Sequence, residues 1–91
     1  MKIVVVGINH KNTPLNIREK GSFMTRTLKE GIEALKQEES IAEVLILSTC
    51  NRSEIYAATR NPEAALAALK DYYLKAKSLE LEDYLFSYRE R

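Results

Sequence analysis

Apolar residues in this chain follow two rhythms. Ile3-Val4-Val5-Val6 is an unbroken β-branched run closed by Gly7, and Val44-Leu45-Ile46-Leu47 is a second continuous run. Short runs of this kind predict strands buried on both faces. Between them, Met24, Leu28, Ile32 and Leu35 recur at steps of four, four and three. That spacing predicts one face of an amphipathic helix over residues 25–37, with Gly31 costing up to ~1 kcal/mol against alanine. A third strand is expected at Glu54–Thr59, joined to the second by few polar residues and therefore by a tight antiparallel connection. Asn61-Pro62 supplies an N-cap and a first-turn proline. The helix they open runs to about Lys77, with Leu66, Leu69, Tyr73 and Ala76 on one side. Glu38–Ile41 reads as a polar turn, Leu79–Asp83 as a link and Tyr84–Tyr88 as a fourth strand. Asn9–Gly21 has no clean period and carries Pro14. It reads as a long loop, with a helical turn near Ile17–Lys20.

The resulting order is β-α-β-β-α-β, the split βαβ or ferredoxin-like arrangement. The expected class is α+β: one antiparallel sheet with two helices on one face. At 91 residues the chain is one domain, residues 1–91, with no internal boundary. The sheet's other face is expected to be bare, and apolar area there favours self-association.

Composition narrows the function classes. Lys and Arg number 14 against 13 Asp and Glu, a net charge of +1. A dedicated nucleic-acid binder usually shows a basic excess or stripe, whereas here acidic residues are mixed among the basic ones. A single cysteine excludes an intrachain disulfide and a cysteine-based zinc cluster and suits a reducing cytoplasm. Ile3–Val6 is too short for a signal peptide's apolar region. No apolar run approaches the roughly 20 residues that cross a bilayer, so no membrane association is expected.

Cys50 ends an apolar strand and opens a polar connection, so its sulfur can reach a cleft. Thiolate is the reactive form of cysteine, and a nearby cation raises its fraction. Arg52, two residues on, can supply that charge or hold a carboxylate in its guanidinium fork. On spacing alone, a buried structural cysteine is the commoner fate. Thr49 and Asn51 suit local turn bonding as readily as a substrate pocket. His10 is the only histidine. A Cys–His pair is a standard way to activate a thiol. If the first two strands are antiparallel, however, they end at opposite edges, and a direct Cys50–His10 pair then requires the Asn9–Ile17 loop to curl back. Gly7 alone is not a dinucleotide fingerprint, which needs three glycines opening a helix. Tyr72, Tyr73, Tyr84 and Tyr88 sit where core packing or a partner surface is expected, rather than base stacking.

Two segments are more specific. Gly7-Ile8-Asn9-His10-Lys11-Asn12-Thr13-Pro14-Leu15-Asn16-Ile17-Arg18-Glu19-Lys20 resembles the N-terminal signature of glutamyl-tRNA reductases. Leu47-Ser48-Thr49-Cys50-Asn51-Arg52-Ser53-Glu54-Ile55-Tyr56 resembles the motif carrying their active-site cysteine, and the separation of the two fits. The resemblance covers essentially the whole chain, as the N-terminal catalytic domain of a longer enzyme. It implies that Cys50 attacks the ester joining glutamate to tRNA and forms a thioester. Arg52 would hold a carboxylate of the glutamyl group, while Thr49 and Asn51 line the pocket. In the family, NADPH reduces the thioester to glutamate-1-semialdehyde for tetrapyrrole biosynthesis. The chain departs from the pattern at Asn12-Thr13, where Thr-Ala is common, and at Gly21, where Leu is common. A helical segment with a histidine proposed as general base, an NADPH-binding domain and a dimerisation domain follow in the family and are not in this chain. NADPH is therefore expected to bind the full-length enzyme and not these residues. Homodimerisation is expected through the missing domain, and glutamate-1-semialdehyde aminomutase is an implied partner. The competing expectation is a ferredoxin-like ligand- or RNA-binding module without catalysis, because the fold alone decides nothing.

Overall fold

The computed structural model describes residues 1–90. Strands β1 (Lys2–Asn9), β2 (Glu43–Ser48), β3 (Arg52–Thr59) and β4 (Phe86–Arg89) form one sheet in the order β2-β3-β1-β4, every neighbour antiparallel. Helices α1 (Leu15–Gly21), α2 (Thr25–Leu35) and α3 (Pro62–Ala76) and a 3-10 turn at Leu79–Tyr84 complete it. This is the expected α+β, ferredoxin-like arrangement.

The register explains the core. Val4 pairs with Ala57 and Val6 with Ile55, and across β3 the same two residues meet Val44 and Ile46. Alternation along a strand puts all six on one face. There they pack with Leu35 of α2 and with Ala65, Leu69 and Tyr73 of α3. α3 starts as its sequence dictates: the Asn61 side chain accepts the Ala64 N–H at 3.3 Å, with Pro62 in the first turn. The opposite face carries Ile3, Leu45 and Tyr88, all exposed, around Val5 and Tyr56.

Three boundaries differ from expectation. β1 does not stop at Val6 but continues through Gly7 to Asn9, because that stretch pairs with Arg52–Glu54 of β3. The presumed loop contains a seven-residue helix, α1, for which Pro14 sets the entry: its carbonyl accepts the N–H of Ile17 at 3.1 Å and of Arg18 at 3.0 Å. Only Ile17 and Gly21 of α1 are buried, too few to show a helical period. Tyr84 closes the 3-10 turn instead of opening a strand, and β4 starts at Phe86.

Tyr73 ties these parts together. It is fully buried, stacks on Phe23 at 5.5 Å between ring centroids, and donates its hydroxyl to the Gly21 carbonyl at 2.7 Å. Burial raises its pKa well above the ordinary 10.0. An acid whose folded pKa is raised contributes stability that is complete below the unfolded value and is lost as pH climbs past it. We expect the melting temperature to fall above about pH 10, and to fall less steeply in Tyr73→Phe. Equal slopes in the two proteins would show that this phenol is not the coupled group.

Candidate active site

The β2–β3 hairpin turns at Cys50 and Asn51. The Thr49 N–H donates to the Arg52 carbonyl at 2.7 Å, and the Thr49 hydroxyl oxygen accepts the N–H groups of Asn51 and Arg52, each at 3.2 Å. Thr49 thus acts through the local turn bonding that its residue type suggests. One step inward, the Ser48 and Ser53 hydroxyls lie 2.8 Å apart, and Ser48 also accepts the Phe23 N–H at 2.9 Å. The corner is braced on both sides, and Cys50 is an exposed free thiol rather than a core residue.

β1 and β2 are each antiparallel to β3 and therefore parallel to each other. Their C-terminal ends lie at the same edge of the sheet. The expected separation of His10 from Cys50 does not hold, since it assumed that those two strands oppose. Asn9 pairs with Arg52, and its side-chain oxygen accepts the Lys11 N–H at 3.0 Å and the Asn12 N–H at 3.3 Å. This Asx turn brings His10 and Lys11 to the corner. With Thr49, Cys50, Asn51 and Arg52 they line a cleft of about 600 Å³. All five residues singled out in the sequence therefore meet at one place.

The floor of the cleft holds a residue that sequence reasoning passed over as a strand start. Glu54 is 8% exposed. Its Oε1 accepts the Tyr56 hydroxyl at 2.9 Å and lies 3.5 Å from Arg52 Nε. The hydrogen bond to Glu54, followed by burial and the Glu54 charge, raises the Tyr56 pKa, against a smaller opposing effect of Arg52. Gly7 makes room for this carboxylate, since a Cβ there would stand 2.5 Å from the Ser53 carbonyl oxygen and 2.9 Å from Glu54 Cγ. The cleft thus offers cationic side chains from Lys11 and Arg52 facing a buried carboxylate.

Arg18, noted in the sequence only as one basic residue among several, also belongs here. Its Nη1 donates to the Cys50 carbonyl at 3.2 Å. No group of three His, Cys, Asp or Glu residues able to hold a metal occurs among the described residues. Nor do the glycines form a dinucleotide cradle: Gly7 lies inside β1, Gly21 ends α1 and Gly31 is mid-α2. Among the described residues, no helix is long and apolar enough to cross a membrane.

The family model for the N-terminal domain of glutamyl-tRNA(Glu) reductase matches residues 6–91. The glutamyl-tRNA reductase of Synechococcus sp. strain CC9311 is 42% identical over 91 residues, covering 97% of this chain and 21% of that protein. That of Magnetococcus marinus is 43% identical over 83 residues, covering 91% and 20%. Among solved structures, glutamyl-tRNA reductase from Methanopyrus kandleri aligns with a TM-score of 0.66 at 25% identity, over 97% of this chain and 19% of that one. The chain spans about a fifth of the length of the relatives it matches.

Proposed function

Because this chain belongs to the glutamyl-tRNA reductase family, as its N-terminal domain, we propose that it performs the acyl-transfer half of that family's reaction. The Cys50 thiolate attacks the ester carbon of glutamyl-tRNA. A carbon–sulfur bond forms, the bond to the ribose oxygen breaks, and the tRNA leaves with a free hydroxyl. The observation that carries this reading is an exposed cysteine at a braced corner, in a cleft with counter-charges for both ends of an amino acid. Arg52, with Lys11, attracts the side-chain carboxylate of the glutamyl group. Glu54 attracts its ammonium. Thr49 holds the corner, and Asn51 offers an amide to the bound acyl group. His10, sharing the cleft, is an imidazole able to take the thiol proton.

Splitting the reaction at a thioester turns one hard step into two easier ones. Reduction by NADPH to glutamate-1-semialdehyde, which feeds tetrapyrrole synthesis, is the second half. In this reading the dinucleotide is held by the family's NADPH-binding domain. We assign glutamyl-tRNA as substrate, a homodimer made through the family's dimerisation domain, and glutamate-1-semialdehyde aminomutase as the consumer of the product. An exposed free thiol fits a reducing cytoplasm. A non-catalytic ligand- or RNA-binding module is not favoured: it has no use for Thr-Cys-Asn-Arg at a cleft corner.

The test is intact mass spectrometry of the chain mixed with glutamyl-tRNA. We expect one glutamyl group on Cys50, removable by hydroxylamine as a thioester is. A thiol that alkylates freely but takes no acyl group from glutamyl-tRNA would overturn the proposal.

A further inference from the structure

The wall carrying Cys50 has two sides. Thr49 and Cys50 line the cleft just described and also a second one, of about 410 Å³, bounded on its far side by α1 and the Ser22–Phe23 link. The two differ in chemistry. The first sets Lys11 and Arg52 against the buried Glu54 carboxylate. The second combines one guanidinium, Arg18, with apolar surface from Leu15, which is 58% exposed, backed by the buried Phe23; Glu19 also lines it.

Arg18 is only partly used by the fold. Nη1 holds the Cys50 carbonyl, while Nε is buried and finds no acceptor among the described residues. Leaving a buried donor unpaired is costly, so such groups call for an explanation. A guanidinium beside an apolar shelf suits a nucleotide, which brings a phosphate, a ribose and an aromatic base.

Acyl transfer imposes a geometry as well. The carbon under attack carries the acyl chain on one side and the leaving oxygen on the other. A nucleophile on a dividing wall serves both only if each side has room. We infer that the Arg18 cleft receives the 3′-terminal nucleotide of the tRNA, the leaving group, while the Arg52 cleft holds the glutamyl group. Arg18 contacts a backbone phosphate there and, through the Cys50 carbonyl, fixes the corner between the two parts of the substrate. This subsite rests on the acyl-transfer reading above.

The experiment compares two acyl donors: glutamyl-tRNA and a small glutamyl thioester lacking any nucleotide. Acylation of Cys50 is followed by intact mass in the wild type, Arg18→Met, Arg18→Lys and Leu15→Glu. Position 15 is exposed, so Leu15→Glu adds a repelling charge without disturbing the core. For Arg18→Met and Leu15→Glu, we expect the loss in the second-order acylation rate constant with glutamyl-tRNA to exceed the loss with the small donor at least tenfold, mainly through a higher half-saturating donor concentration. Arg18→Lys recovers part of it. In Arg18→Met the salt dependence with glutamyl-tRNA also flattens by about 0.7 in log–log slope, the loss of one single-strand phosphate contact. Equal losses with both donors, or no loss with either, would overturn the subsite and leave acyl transfer standing. A wild type acylated by neither donor would remove the acyl-transfer reading and the subsite with it.

Discussion

Cys50→Ser is expected to abolish the acyl adduct and to leave the melting temperature almost unchanged. The two halves of this result have separate causes. The bonds that hold the corner use Thr49, Arg52 and the backbone of residue 50, and the thiol is exposed. A substitution at such a position changes stability by no more than about 0.5 kcal/mol. The chemistry behaves differently. A serine hydroxyl is a far weaker nucleophile than a thiolate without a dedicated base, so acylation falls by at least about a thousandfold. Time courses of intact mass with glutamyl-tRNA read the rate, and circular dichroism reads the melt. Acylation of the serine variant at a rate near wild type, or an adduct on another residue, would show that Cys50 is not the nucleophile.

Gly7→Ala is the most damaging small substitution expected in the fold. None of the described glycines has a positive φ, so backbone conformation is not the reason. The reason is space. The new methyl would stand 2.5 Å from the Ser53 carbonyl oxygen and 3.0 Å from Glu54 Cα, both backbone atoms of the paired strand. β1 and β3 must separate where Gly7 pairs with Glu54. Overpacking of this kind costs about 3 kcal/mol, and in a domain this size each kcal/mol lowers the melting temperature by roughly 4–8 °C. We expect a fall of more than about 10 °C. Gly31→Ala is the control. Its methyl would meet Ile46 Cδ1 at 3.0 Å and the Tyr72 hydroxyl at 3.2 Å, the ends of side chains that can give way. The gain in helix propensity, up to about 1 kcal/mol, offsets that crowding. If Gly7→Ala melts with Gly31→Ala, the close approach at Gly7 is not a stability determinant.

Much of this architecture was legible because the signals were local. Two continuous apolar runs gave β1 and β2, but β2 is not buried on both faces as expected: it is an edge strand with Leu45 exposed, because helices cover one face of the sheet only. The step pattern from Met24 to Leu35 gave α2. Asn61-Pro62 gave the start of α3 to the residue. α1 escaped because its core contribution is Ile17 and Gly21, and a single buried side chain has no period. Cys50, Thr49, Asn51 and Arg52 were legible as neighbours in the chain. Glu54 was not, because its role depends on a glycine 47 positions earlier leaving room for it. His10 was noticed but set on the wrong edge. The split βαβ order makes its first two strands parallel through the strand between them, a topological fact that no local pattern carries. Arg18 reaches Cys50 across 32 residues, and nothing near it in sequence marks it out.

The corner at residues 49–52 has a consequence at the level of the cell. Because its bonds do not use the thiol, losing the chemistry and losing the fold are separate events. A copy altered only at residue 50 remains folded, with the cationic and carboxylate side chains of the cleft in place. Under the acyl-transfer proposal, it is expected to compete for the acylated substrate and return nothing. Expressed beside an intact copy, such a protein would then act by interference, with an effect that grows with its abundance. A copy altered at Gly7 is instead expected to be depleted by unfolding, so that its effect is that of a reduced gene dose.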